Sequence, residues 1–150
     1  MANLQVATLA GGCFWCIESA FNTVEGVVKA LSGYAGGEKN DPTYEEVCSG
    51  NTGHAEVVQV TFDADIISYR EILEIFFALH DPTQLNRQGN DIGTQYRSEV
   101  FYHDEAQKAE ALAIIDEIVN EEIWPNPVVT KVTEINNYYE AETYHQDYFK

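Results

Sequence analysis

Apolar and polar positions alternate with different periods along the chain, and each change of period marks an element. Residues 4–10 are an apolar run that reads as a buried strand. Phe14, Ile17 and Phe21 then recur at the spacing of one helical face, so Gly11-Gly12 make the turn between strand and helix, with Cys13 at the helix mouth. Residues 27–35 are β-rich and return as a strand. Regular patterning stops over 36–55, which is rich in Gly, Asn, Asp and Ser, with at most a short helical turn around 44–47. From 56 to 62 the period is two, with Val58, Val60 and Phe62 on one face and Val57, Gln59 and Thr61 on the other; Glu56 shares the parity of the apolar set. Ser68 followed by Glu71 is a capping box, opening a helix whose stripe is Tyr69, Ile72, Leu73, Phe76 and Leu79 and which runs through His80. A second long irregular segment, 81–97, carries Pro82, Gly89 and Gly93 with Asn86, Asn90 and Asp91. After a short strand over 98–102, Asp104 and Gln107 open the longest helix, with Ala109, Leu112, Ile115, Val119 and Ile123 facing inward until Trp124-Pro125 stops it. A final strand is predicted over 128–135. The tail from 136, with Tyr138, Tyr139, Tyr144, His145, Tyr148 and Phe149, reads as a loop and a short helix folding back.

The order β, α, β, β, α, β, α, β predicts an α+β fold, a ferredoxin-like α/β sandwich with helices on one mixed sheet and long active-site loops. At 150 residues and 45% hydrophobic content, the chain is long enough for one well-buried domain and short for two, so 1–150 is expected to be a single domain. Its net charge of −17 opposes binding to nucleic acid or an anionic membrane surface. The N-terminus has no basic region, and no stretch approaches a membrane span, which fits a cytoplasmic protein. The 3 cysteines cannot build a disulfide framework. In a reducing compartment the Cys13-Phe14-Trp15-Cys16 spacing is therefore catalytic or metal-binding rather than structural.

Free amides at the helix start favour an anion, which predicts a lowered pKa for Cys13. Cys16 lies one turn on, close enough to resolve an oxidised Cys13 as a disulfide. The two long loops hold groups that would complement a thiolate. Tyr44 and Tyr96 can donate neutral hydrogen bonds, and Asp91 can order a loop. A desolvated Glu56 favours its neutral form and so becomes a proton donor, although inward parity equally fits a paired ion. Thiolate plus acid points to reductive attack on a polarised oxide.

Several motifs in order match one family. The chain resembles the A-type peptide methionine sulfoxide reductases through Gly12-Cys13-Phe14-Trp15 with Glu18, the runs 43–50 and 52–56, His80-Asp81-Pro82-Thr83-Gln84, the run 89–98 and Tyr144-His145-Gln146. The resemblance implies that Cys13 attacks the sulfur of a methionine S-sulfoxide, that Glu56 protonates the oxygen while Tyr44 and Tyr96 hydrogen-bond to it, and that Asp91 supports the loop placing Tyr96. Phe14 and Trp15 would receive the methyl group. The substrate would be methionine sulfoxide in oxidised proteins or free, the reductant thioredoxin, and the enzyme a monomer without metal or organic cofactor. Many members have glycine where Cys16 stands and recycle through cysteines in a glycine-rich C-terminal tail, whereas this sequence closes on Tyr148-Phe149-Lys150. Cys16 is then the natural resolving thiol, the alternative being direct resolution by an external thiol. Cys48 falls in a family motif but is not implied to be catalytic.

Plainer readings stand beside these. By spacing alone Phe14 belongs to the core with Ile17 and Phe21, while Trp15 points elsewhere and lines a site. His54, His80, His103 and His145 read as hydrogen-bonding or surface residues. The acidic residues of 105–122 read as a solvated helix face. A thioredoxin-like dithiol-disulfide oxidoreductase would also use Cys13 and Cys16 at a helix start, with Pro127 facing them, but it leaves the long loops without a purpose. A zinc module of Cys13, Cys16, Cys48 and His54 matches no compact finger and would consume the nucleophile.

Overall fold

The computed structural model describes residues 3–89, 91–142 and 145. Strand β1 (Leu4–Gly11) leads through a glycine turn into helix α1 (Phe14–Phe21) and back along β2 (Val27–Ala35). A loop holding the short α2 (Tyr44–Cys48) precedes β3 (Ala55–Asp63), and α3 (Tyr69–Leu79) follows. The hairpin β4 (Arg87–Gln88) and β5 (Asp91–Ile92), a 3-10 turn (Thr94–Tyr96), β6 (Ser98–Tyr102), α4 (Glu105–Asn120), β7 (Lys131–Glu134) and β8 (Tyr139–Glu140) complete the order.

Six strands form one sheet in the order β7-β6-β1-β3-β2-β8. Its centre, β6-β1-β3-β2, is antiparallel throughout, with α1 joining β1 to β2 and α3 lying between β3 and β6 in the chain. That is the ferredoxin-like arrangement expected from the element order. The parallel β6–β7 pair makes the sheet mixed. Leu9, Val58, Val60 and Phe62 on one face pack with Phe14, Ile17 and Phe21 of α1, Ile72, Leu73 and Phe76 of α3, and Ala111 and Ile114 of α4. Burying each large side chain of this set contributes about 1.5–3 kcal/mol. The opposite face is a smaller cluster of Ala10, Ala35, Ala55, Val57 and Phe101 under Ile135 and Tyr138.

Several expectations need correction. Helix α4 turns inward through Gln107, Ala111, Ile114 and Ile118, while Leu112, Val119 and Ile123 are exposed. Two apolar stripes overlap in that sequence. Gln107 selects between them, because its side chain accepts from His103 N at 2.9 Å and donates to Val6 O at 2.8 Å. The helix also ends at Asn120, before Trp124-Pro125. Glu122 turns left-handed at φ 51, and Glu122 N bonds Val119 O while Ile123 N bonds Ile118 O, a Schellman closure. In α3 the stripe closes on Phe77 and leaves Leu79 exposed. The 81–97 segment is not wholly irregular, since it holds the hairpin and the 3-10 turn. The last strand is shorter than 128–135, because Val129 N bonds Pro82 O instead of extending the ladder. Residues 139–140 of the tail are a strand; the expected short helix would fall mostly outside the described residues.

Candidate active site

Gly12 sits at φ +97, a left-handed conformation that costs a side chain but not glycine. A Cβ there would come within 2.8 Å of Gln88 Cγ, and one on Gly11 within 2.9 Å of the His80 and Phe76 rings. Both neighbours are fixed. Gln88 bonds the backbone of Asp81 twice, accepting from N at 2.9 Å and donating to O at 2.5 Å. His80 is buried, donating through Nδ1 to Phe76 O and accepting at Nε2 from Ser98 Oγ, each at 2.8 Å. Burial pushes it down to about 4, so it stays neutral beneath the turn.

This turn delivers Cys13 as the N-cap of α1, in extended conformation and without a side-chain cap bond. The amides of Trp15 and Cys16 do stabilise a thiolate here, yet burial outweighs them, and nearby Glu56 and Cys16 add to the effect. The thiol is pushed up to about 12 rather than down. The expectation from the helix end fails because one helix terminus offers a fraction of a charge, while removing half the hydration of a thiolate costs more. Cys13 rests as a neutral thiol. Cys16, on the same helix, is exposed and free.

Glu56 lies opposite Tyr34 in the β2–β3 ladder, on the inward face that its parity predicts. It is 1% exposed. Oε1 accepts from Phe14 N at 3.2 Å, tying the carboxyl to the residue after the thiol, and Oε2 is buried with no hydrogen-bond partner among the described residues. Burial chiefly, with the charge of Asp91 adding, pushes the group up to about 8 against the Phe14 amide. At neutral pH it is therefore a carboxylic acid, and among the described residues no cation pairs with it.

Tyr44 opens α2, which is capped by a reciprocal Thr43–Glu46 box. Tyr96 is carried by the 3-10 turn, where Arg97 bonds Thr94 O at 3.0 Å and the buried Glu99 at 2.7 Å. Burial raises both phenols, and Glu56 raises them further, so both keep their protons. Burial raises the nearby Cys48 thiol, and the two phenols act against that rise. Cys48 O accepts from Gln95 Nε2 at 3.4 Å, which joins α2 to the turn bearing Tyr96. Asp91 is exposed at the start of β5, its charge acting on Glu56 and Tyr96.

Phe14 is fully buried and Trp15 half-buried. Together with Tyr44 and His145 they form one aromatic group, the Phe14 and Trp15 rings lying 6.1 Å and 5.9 Å from that of Tyr44. Phe14 thus serves the core, as its spacing predicts, and also touches the rings around the thiol. Every sequence-derived site residue gathers at this end of the sheet. The sequence reading gave Cys48 no catalytic role and His145 a hydrogen-bonding or surface one, and it passed over Glu142. Cys48 stands four residues after Tyr44, a helical spacing that could have signalled it. Glu142 reaches Tyr44 across 98 positions and His145 reaches Trp15 across 130, and only the Tyr144-His145-Gln146 motif hinted at the second.

Other readings lose ground on geometry. His54 has both ring nitrogens engaged, Nδ1 accepting from Gly37 N at 3.0 Å and Nε2 donating to Lys39 O at 2.7 Å, so it is not offered to zinc. Pro127 lies against the end of α4 with Ile118 and Trp124 rather than before the thiols. A groove of about 430 Å³ between α3 and α4 shares no residue with the site.

A family model described as peptide methionine sulfoxide reductase matches residues 5–150. The peptide methionine sulfoxide reductase MsrA of Natronomonas pharaonis is 55% identical over 144 residues, covering 96% of this chain and 81% of that protein. The solved structure of Mxr1 from Saccharomyces cerevisiae in reduced form matches with a TM-score of 0.91 at 40% identity, over 97% of this chain and 84% of that one. Mxr1 in complex with Trx2 matches with a TM-score of 0.68 at 29% identity, over 97% and 84% of the two chains.

Proposed function

Because the chain belongs to the peptide methionine sulfoxide reductase family, we propose that Cys13, Glu56, Tyr44 and Tyr96 carry out its reaction, with Cys16 closing the cycle. The activity is thiol-dependent reduction of methionine S-sulfoxide to methionine. The observation that carries the assignment of roles is Glu56, a buried carboxyl protonated at neutral pH and bonded to the amide next to the nucleophile.

The Cys13 sulfur attacks the sulfoxide sulfur while Glu56 gives its proton to the oxygen, and Tyr44 and Tyr96 donate to that oxygen as charge builds on it. The thiol proton of Cys13 restores Glu56. The S–S bond made by the attack and the sulfoxide S–O bond both break as the oxygen passes to Cys13, leaving a sulfenic acid and methionine, so the substrate sulfur gains the two electrons that the Cys13 sulfur loses. Asp91 adds to the rise that burial gives Glu56 and supports the loop of Tyr96. Phe14 and Trp15 receive the S-methyl group, which orients one epimer for attack.

Cys16 then condenses with the sulfenic acid, releasing water and leaving a Cys13–Cys16 disulfide for thioredoxin to reduce. Its position one turn along α1 and its exposure support this role. The reading takes 1–150 as one catalytic domain, a cytoplasmic monomer working without metal or organic cofactor on oxidised proteins or free methionine sulfoxide. Among the described residues no helix is long and apolar enough to cross a membrane.

Epimer-resolved turnover with thioredoxin tests this. The wild type is expected to consume the S-epimer over many cycles and leave the R-epimer. Cys16→Ser should form one methionine per enzyme and stall. Equal use of both epimers would contradict the pocket, and sustained cycling of the serine variant would assign resolution to an external thiol.

A further inference from the structure

Beyond β8 the chain folds back over the aromatic group through Ala141 N to Ser32 O at 2.9 Å and His145 N to Glu142 O at 2.9 Å. Two side chains of this return reach the site. Glu142 accepts from the Tyr34 hydroxyl at 2.8 Å and from Tyr44 N at 3.0 Å, holding the first residue of α2. His145 is 2% exposed and accepts from Trp15 Nε1 at 3.0 Å through Nδ1. An indole N–H only donates, so this bond requires Nδ1 to be unprotonated. The His145 ring lies 4.3 Å from that of Tyr44, stacks on Trp15 at 5.5 Å with 27° between planes, and sits 5.5 Å from Phe14. A single ring thus touches both residues assigned to the methyl group and one of the phenols assigned to the oxygen.

We propose that His145 is a positioning and specificity-determining residue, which fixes the Trp15 indole by its hydrogen bond and fills the space toward Tyr44, so that the pocket accepts a methyl substituent and rejects longer ones. The inference rests on the reading of Phe14 and Trp15 as that pocket. An indole ring has two torsions to its backbone, and packing alone leaves it free to tilt; a hydrogen bond from Nε1 to a buried acceptor removes that freedom. Burial lowers the pKa of His145, with Glu142 acting against it, which favours the neutral acceptor form.

The test is the ratio of kcat/KM for methyl over propyl sulfoxides, both of the configuration the enzyme uses, in His145→Phe, His145→Asn, Trp15→Phe, Trp15→Ala and the double variant Trp15→Phe/His145→Phe. His145→Phe keeps a ring without the acceptor and should lower the ratio roughly fivefold, the factor carried by one neutral hydrogen bond. Trp15→Phe, which removes the same bond from the other side, should do likewise, and the double variant should add nothing. His145→Asn places an acceptor near the Nδ1 position and should keep the ratio within about twofold, a rescue that general destabilisation would not produce. Thermal melting and the rate of Cys13 alkylation report folding separately. An unchanged ratio in folded His145→Phe, with Trp15→Ala still shifting it, would overturn the role of His145 and leave the pocket standing. An unchanged ratio in Trp15→Ala would overturn the pocket itself. If His145→Phe does not fold, loss of the ratio in folded His145→Asn overturns the hydrogen bond as its basis.

Discussion

Cys13→Ser is expected to abolish reduction of methionine S-sulfoxide, with a loss on the order of 10⁶, the scale seen when an enzyme loses its nucleophile. The sulfoxide sulfur must gain two electrons, and a serine hydroxyl cannot supply them, because taking up the oxygen would make it a hydroperoxide, a stronger oxidant than the sulfoxide. The loss is chemical rather than structural. Cys13 makes no side-chain cap bond, and serine is among the favoured N-cap residues, so α1 should be held at least as well and the melting temperature should not fall. Methionine formation is followed directly in a first turnover, with Cys16 intact. Appreciable remaining reduction by that variant would remove Cys13 from the mechanism.

Glu56→Gln should slow the first turnover by on the order of 10² to 10³, the range for removing one donor aimed at a developing oxyanion, with the lost proton placing it toward the upper end. The substitution preserves shape, and the amide oxygen can still accept from Phe14 N, so the glycine turn keeps its anchor. Glu56 contributes to the raised pKa of Cys13, so its neutral replacement should leave alkylation of the thiol as fast or faster. A slow sulfoxide step beside an unimpaired thiol is the expected pair of results. Losing Tyr44 or Tyr96 alone should cost less, since each is one of two phenols and neither delivers the proton. An unchanged first-turnover rate would dismiss Glu56 as the acid.

Much of this arrangement was legible before the coordinates because it rests on local rules. The apolar run, the paired glycines and the Phe14, Ile17, Phe21 spacing are enough to place a thiol at the start of a helix. Period two over 56–62 sets Glu56 inward, which left a neutral acid and a paired ion equally open; deep burial without a cation partner among the described residues favours the acid. The capping boxes of α2 and α3 are short-range signals of the same kind. What escaped depends on packing between distant segments. The rotation of α4 is chosen by the Gln107 bridge to Val6 O, which no helical period encodes. The thiol pKa turns on a balance between burial and amide dipoles, and composition gives only the dipoles. His145 and Trp15 are 130 positions apart, and Glu142 and Tyr44 are 98 apart, so neither contact has a local signature.

The two proton reservoirs of the site lie well apart, with Glu56 pushed up to about 8 and Cys13 up to about 12. On the proposed mechanism the acid form of Glu56 is the working form, so the sulfoxide step is expected to lose rate as pH rises through its pKa, while Cys13 remains a thiol on both sides of that point. The decisive measurement is the pH dependence of first-turnover methionine formation in the wild type and in Glu56→Gln. A wild-type rate that is level near neutrality and falls about tenfold per unit well above pH 8, with no such fall in the glutamine variant, is the predicted result. A wild-type rate that climbs through the same region would contradict it, because the reaction would then be governed by forming a thiolate rather than by a buried acid.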